Sequence, residues 1–160
     1  MLKYINTEIV FAEVPDEITL AINLSNCQIH CPECHSKFLW KNSGKELSQR
    51  HLEKLISENE DITCVSFMGG DSEPELVNLL AERVHKLGLK TCWYSGKQEL
   101  SDKINLKNFE FIKLGPYIKE LGGLDSKTTN QRFYEYNGLD STIGEVWQDI
   151  TYKFQDKDVL

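Results

Sequence analysis

The sequence predicts an α/β fold, a partial, open β/α barrel of about five or six mostly parallel strands. Three observations lead there. Short apolar runs rich in β-favouring residues alternate with segments of helical period. Each run ends in a loop containing glycine, serine or cysteine, as the carboxyl ends of parallel strands do when they carry a site. And the chain has 160 residues, short of the roughly 250 that a closed eight-unit barrel takes.

Residues 4 to 11, Tyr-Ile-Asn-Thr-Glu-Ile-Val-Phe, read as a short strand, followed by a turn at Pro15-Asp16. The run Ile18-Thr19-Leu20-Ala21-Ile22-Asn23-Leu24 is the first core strand. Phe38-Leu39-Trp40 is an apolar patch that either belongs to the core, the commoner use, or packs over the cysteine loop. Ser48 is placed as the N-cap of a helix over about 48 to 59, with Leu47 and Leu52 spaced as a hydrophobic staple and Leu55 and Ile56 continuing the face. Residues 62 to 68 form a buried strand that runs into Gly69-Gly70-Asp71. Ser72-Glu73-Pro74-Glu75 has the pattern of a capping box, with Ser72 as the cap. Leu76, Leu79, Leu80, Val84 and Leu87 then recur at helical spacing, Gly88 is the stop signal, and His85 and Lys86 suit the negative end of the helix dipole. Residues 90 to 94 make a third strand ending at Ser95-Gly96, and 109 to 114 a fourth ending at Gly115-Pro116. Val146, Ile150, Tyr152 and Phe154 suggest a closing strand or a partner surface.

With 40% hydrophobic and 27% charged residues and no internal repeat, the chain reads as one domain. No apolar run approaches the roughly 20 residues of a membrane span, and no stretch reads as a targeting segment. A cytoplasmic protein is expected. The net charge of −7 argues against a nucleic-acid partner, which would ask for a basic face.

The chemistry is concentrated in Cys27-Gln28-Ile29-His30-Cys31-Pro32-Glu33-Cys34-His35, which follows the first core strand with the spacing C-x3-C-x2-C. Three thiolates on one short loop can grip three corners of a four-iron cubane and leave the fourth iron open to substrate. A structural zinc site completed by His30 or His35 is the alternative reading of the same residues. Cys64 and Cys92 stand singly inside apolar runs and form no second knuckle. The count of five cysteines is odd, which argues against a disulfide framework. Because ligands collect at the carboxyl ends of parallel strands, Cys27 to Cys34, Gly69 to Asp71 and Ser95-Gly96 are expected at one edge of the sheet.

The cysteine motif after a first strand resembles the radical S-adenosylmethionine superfamily. Within it, five strings in this order are similar to the activating proteins of anaerobic ribonucleotide reductases. They are Cys31-Pro32-Glu33-Cys34-His35-Ser36, Gly69-Gly70-Asp71, Trp93-Tyr94-Ser95-Gly96, Gly115 to Leu121, and Thr129-Asn130-Gln131-Arg132. The resemblance implies a single radical S-adenosylmethionine domain over residues 1–160 and a 4Fe-4S cluster held by Cys27, Cys31 and Cys34. It implies S-adenosylmethionine bound by Gly69, Gly70 and Asp71 at the amino group, by backbone around Glu33 and His35 at the adenosyl part, and by Ser95. No side chain is assigned a catalytic role, since the cofactor carries the chemistry: reductive cleavage to a 5'-deoxyadenosyl radical that abstracts hydrogen from a partner's glycine. The implied partners are the large catalytic subunit of the reductase, docked near Trp40, Tyr117 and Asn130-Gln131-Arg132, and a low-potential electron donor such as flavodoxin or ferredoxin. The sequence departs from these relatives at residues 11 to 17, where they carry a glycine-rich stretch, at Ser36 for Asn and at Leu114 for Asp. An activase of another glycyl-radical enzyme, a small-molecule radical enzyme and a zinc-stabilised interaction module are the alternatives.

Overall fold

The computed structural model describes residues 1–32, 34, 36–140 and 144–155, with the side chains of 137–140 and 144–146 outside the description. Its frame is one eight-stranded sheet in the order β3-β1-β2-β4-β5-β6-β7-β8. The centre is parallel: β2 (Thr19–Leu24), β4 (Cys64–Met68), β5 (Lys90–Tyr94) and β6 (Phe111–Leu114). The flanks are antiparallel. On one side lie β1 (Lys3–Val10) and the two-residue β3 (Lys45–Glu46), on the other β7 (Arg132–Asp140) and β8 (Gly144–Asp149). The expected open barrel of mostly parallel strands is therefore wrong. Four of the seven strand pairings are antiparallel, and the described residues hold only two α-helices, α1 (Gln49–Ser57) and α2 (Pro74–Lys86). A β/α barrel needs a helical crossover after each strand. Here β5 reaches β6 through a segment whose one regular piece is the 3-10 turn Leu106–Asn108, and β6 returns antiparallel as β7.

Local chemistry accounts for the elements that were expected. Ser48 caps α1, its side chain accepting from His51 N at 3.1 Å; Leu47 and Leu52 are both buried, as the staple requires. The capping box is not used. Glu73 rather than Ser72 occupies the N-cap of α2, makes no side-chain cap bond, and hands over to Pro74 at the first helical position, where a missing N–H has no cost. Gly88, at φ +82°, ends the helix.

Both faces of the central strands are buried. Alternation sends Leu20, Ile22, Leu24, Val65, Phe67, Trp93 and Ile112 to the face covered by Leu52 and Leu55 of α1 and Val77, Leu80, Ala81 and Val84 of α2. Cys64, Cys92, Phe111 and Phe133 point to the other face, under Val14 and Ile150. Residues buried on both sides explain why these strands read as unbroken apolar runs. On that second face, the last cross-strand row before the loops runs Asn23, Met68, Tyr94, Lys113. No helix among the described residues is long and apolar enough to cross a membrane.

Candidate iron-sulfur site

The thiol loop leaves the carboxyl end of β2, and its mouth is pinned by backbone. Asn26 N donates to Lys41 O at 3.0 Å and Cys27 N to Leu39 O at 2.9 Å. Ser25, buried at the start of the loop, donates its hydroxyl to Ser43 O at 2.6 Å. Asn26 and His30 take the left-handed conformation, φ +62° and +49°, which turns the chain twice within five residues. Cys27, Cys31 and Cys34 are free and half-buried. Cys34 N donates to Cys31 O at 3.1 Å, and Ser36 N donates to Cys34 Sγ at 3.3 Å. An N–H aimed at a sulfur is one of the levers on a cluster's potential. Among the described residues no three Cys, His, Asp or Glu side chains stand close enough to share one metal ion; a cubane takes each thiolate on a different iron. Three free thiols on one pinned loop, with a backbone donor to one of them, fit a four-iron cluster.

His30, a possible zinc ligand in the sequence, stacks on Trp40 with ring centroids 4.4 Å apart and planes 11° from parallel. Lys37 Nζ lies 5.7 Å from the Trp40 ring. Of the apolar patch, Leu39 is buried and Phe38 exposed. Glu33 and His35 lie outside the described residues.

The second segment is the glycine turn after β4. Gly69, at φ +105°, donates its N–H to Tyr94 O at 2.9 Å and accepts from Trp93 Nε1 at 2.7 Å. Gly70, at φ +89°, accepts from Glu73 N. A Cβ on Gly70 would stand 2.6 Å from Val77 Cγ2 and 2.9 Å from Leu24 Cδ1. The space beside Gly70 is thus filled by the protein's own core. Asp71 reaches across to the third segment, Oδ1 accepting from Ser95 Oγ and Oδ2 from Gly96 N at 2.9 Å. Gly96 in turn faces the thiol loop, since a Cβ there would meet Ile29 Cγ1 at 3.0 Å. The three segments expected at one sheet edge do meet there, and Asp71 is the brace between two of them.

Lys113 went unnoticed in the sequence. It belongs to β6, is 8% exposed, and donates Nζ to Ser95 O at 3.1 Å and Gly115 O at 2.7 Å. Burial pulls its pKa down to about 8, against the opposing pull of Asp71, Cys31, Cys27 and Cys34. The available signal was a lysine inside the run Phe111-Ile112-Lys113-Leu114, where alternation leaves it no solvent-facing side. The expected docking residues scatter. Asn130 donates its amide to Pro116 O at 3.1 Å, Gln131 is buried, and Arg132 is exposed with Asp149 3.7 Å away.

A pinned loop of three free thiols at the carboxyl end of β2 has the donor set of an iron-sulfur site. The family model of the 4Fe-4S single cluster domain matches residues 18–121, well over half of the chain. The chain belongs to that family. The match covers the thiol loop, the glycine turn, Ser95-Gly96 and Lys113. No curated protein and no solved structure gives a match.

Proposed function

We propose that the chain is a radical S-adenosylmethionine activating enzyme that generates a glycyl radical on the large catalytic subunit of an anaerobic ribonucleotide reductase. A donor such as flavodoxin or ferredoxin supplies the electron. The observation that carries this reading is the meeting of the thiol loop, the Gly69-Gly70-Asp71 turn and Ser95-Gly96 at one sheet edge, inside the stretch that matches the 4Fe-4S family. A four-iron cluster held by Cys27, Cys31 and Cys34 would supply the single electron for reductive cleavage of S-adenosylmethionine, chemistry that would be directed at a glycine of the partner.

In this reading Cys27, Cys31 and Cys34 hold the cluster, and the Ser36 N–H keeps charge on the Cys34 sulfur. Asp71 holds the Ser95-Gly96 turn against Ile29 and so fixes one wall of the cofactor site. Gly69 and Gly70 give the turn its positive φ angles. Resemblance alone adds the backbone around Glu33 and His35 at the adenosyl end. Of the docking positions, Arg132 is exposed, Trp40, Tyr117 and Asn130 are half-buried, and Gln131 is buried.

The test begins with anaerobic purification and iron, sulfide and zinc analysis. Four irons per chain are expected for a single cubane, with Cys27→Ala, Cys31→Ala and Cys34→Ala each losing most of the iron. Cys64→Ala and Cys92→Ala should keep it, because both thiols are fully buried in the core. The reduced protein is then mixed with S-adenosylmethionine and the reductase large subunit, and a glycyl doublet is sought by electron paramagnetic resonance. One zinc and no iron would mark an interaction module. Cofactor cleavage without a radical on that subunit, alongside activation of another glycyl-radical enzyme or a small molecule, would move the assignment to a sister enzyme.

A further inference from the structure

A lysine in the middle of a buried strand loses hydration that two backbone carbonyls replace only in part. Lys113 sits in the cross-strand row of Tyr94, its Nζ 5.9 Å from the centre of that ring, and donates to Ser95 O and Gly115 O. A neutral donor would serve those carbonyls as well. A full positive charge at this depth calls for negative charge near it. Asp71, whose carboxylate braces the same turn through Ser95 Oγ and Gly96 N, supplies the largest single share of it. The other groups that act on Lys113 are the three thiols Cys31, Cys27 and Cys34. The Ser95-Gly96 turn is the spacer between them: its carbonyl holds the ammonium, and its glycine meets Ile29 inside the C-x3-C loop.

We propose that Lys113 is the fixed counter-charge of the iron-sulfur site, a positioning residue whose buried ammonium offsets the charge of the thiolate-bound cluster and raises its reduction potential. The inference rests on Cys27, Cys31 and Cys34 being the cluster ligands; it does not depend on which substrate the enzyme activates. Reduction adds one electron to a centre that is already anionic, so a nearby cation favours the reduced form more than the oxidised one.

The experiment uses the full chain, anaerobically loaded with iron and sulfide, as wild type, Lys113→Met and Lys113→Arg. Each is titrated with dithionite against redox mediators while the cluster is followed by electron paramagnetic resonance. In Lys113→Met the ratio of reduced to oxidised cluster at a fixed poise should fall about tenfold, equivalent to about 59 mV for a one-electron couple. Lys113→Arg, which keeps the charge, should restore most of the wild-type ratio. Where Lys113→Met loads less iron, the midpoint of the loaded fraction decides. A midpoint equal to wild type overturns the proposal and leaves Lys113 as a tie between the Ser95 and Gly115 carbonyls. A wild-type chain that takes zinc and no iron overturns the ligand set, and the inference with it, before any variant is compared.

Discussion

Substituting Gly70 by alanine sets a methyl carbon 2.6 Å from Val77 Cγ2 and 2.9 Å from Leu24 Cδ1, both in side chains with no exposed surface. Neither neighbour has room to retreat, because Val77 of α2 and Leu24 of β2 are packed in the same core between the helices and the sheet. The backbone adds its own term: at φ +89° a residue with a Cβ pays about 1–2 kcal/mol. Overpacking a filled core typically costs about 1–3 kcal/mol, so Gly70→Ala should destabilise by about 2–5 kcal/mol in all. Gly69→Ala is the internal control. Its φ of +105° carries a similar backbone term, while its Cβ would meet only Leu24 O at 3.5 Å and Leu24 Cβ at 3.7 Å, ordinary contact. The expected loss there is about 1–2 kcal/mol. Urea denaturation of both variants under reducing, oxygen-free conditions measures the difference as a shift in midpoint at constant slope. Equal losses, or a milder loss for Gly70→Ala, would refute the packing argument and return Gly70 to the role of making room for a ligand. The distinction bears on function too, since a Gly70 variant that loses cofactor chemistry has lost its core packing first.

Two further expectations concern stability. Ser48→Ala removes the hydroxyl that accepts from His51 N and should cost about 1 kcal/mol, read as a lower urea midpoint with unchanged slope. The pH dependence of the metal-free, reduced protein should show opposing contributions. Lys113 falls from 10.5 to about 8 on burial, so between those values the unfolded chain binds more protons and this group's contribution to stability rises with pH. Burial raises Cys64 and Cys92 from 9.0, the latter to about 12. Their contribution is complete below pH 9 and declines above it. Lys113→Met should therefore lose stability more steeply than wild type between pH 8 and 10.5, and parallel denaturation midpoints across that range would sink the assignment.

The parts of the fold that read clearly in the sequence are those governed by neighbours along the chain. Ser48 and its staple place α1, Gly88 ends α2, and the apolar runs mark β2, β4, β5 and β6 within a residue or two. Pairing direction did not read. β7 carries Phe133, Tyr134, Glu135 and Tyr136, an ordinary strand composition, but nothing local tells a strand to return antiparallel beside β6 rather than cross over. β3, with two residues held through Lys3↔Glu46 and Tyr4↔Lys45, is defined wholly by its partner. In the site, the spacing of Cys27, Cys31 and Cys34 was legible because one loop holds all three. The joining of Asp71 to Ser95 followed from the rule about strand ends, though not the detail that both carboxylate oxygens serve the turn. Lys113 was missed because a single charge in an apolar run looks like noise until the sheet shows both of its faces covered.

The strand order also sets which strand pairs close small loops during folding and which close large ones. β1 and β2 are joined by a short segment, as are β7 and β8, so these hairpins close small loops and form early. The parallel pairs at the centre join residues as far apart along the chain as Thr19 and Cys64, and their loop-closure entropy has to be met before any contact repays it. Every segment of the site hangs on the parallel half: the thiols on the loop after β2, Asp71 after β4, Ser95 after β5 and Lys113 on β6. A nascent chain therefore carries its three cysteines free of their brace and their counter-charge until the fourth parallel strand docks. The interval in which oxygen can reach the thiols ahead of iron is thus governed by topology.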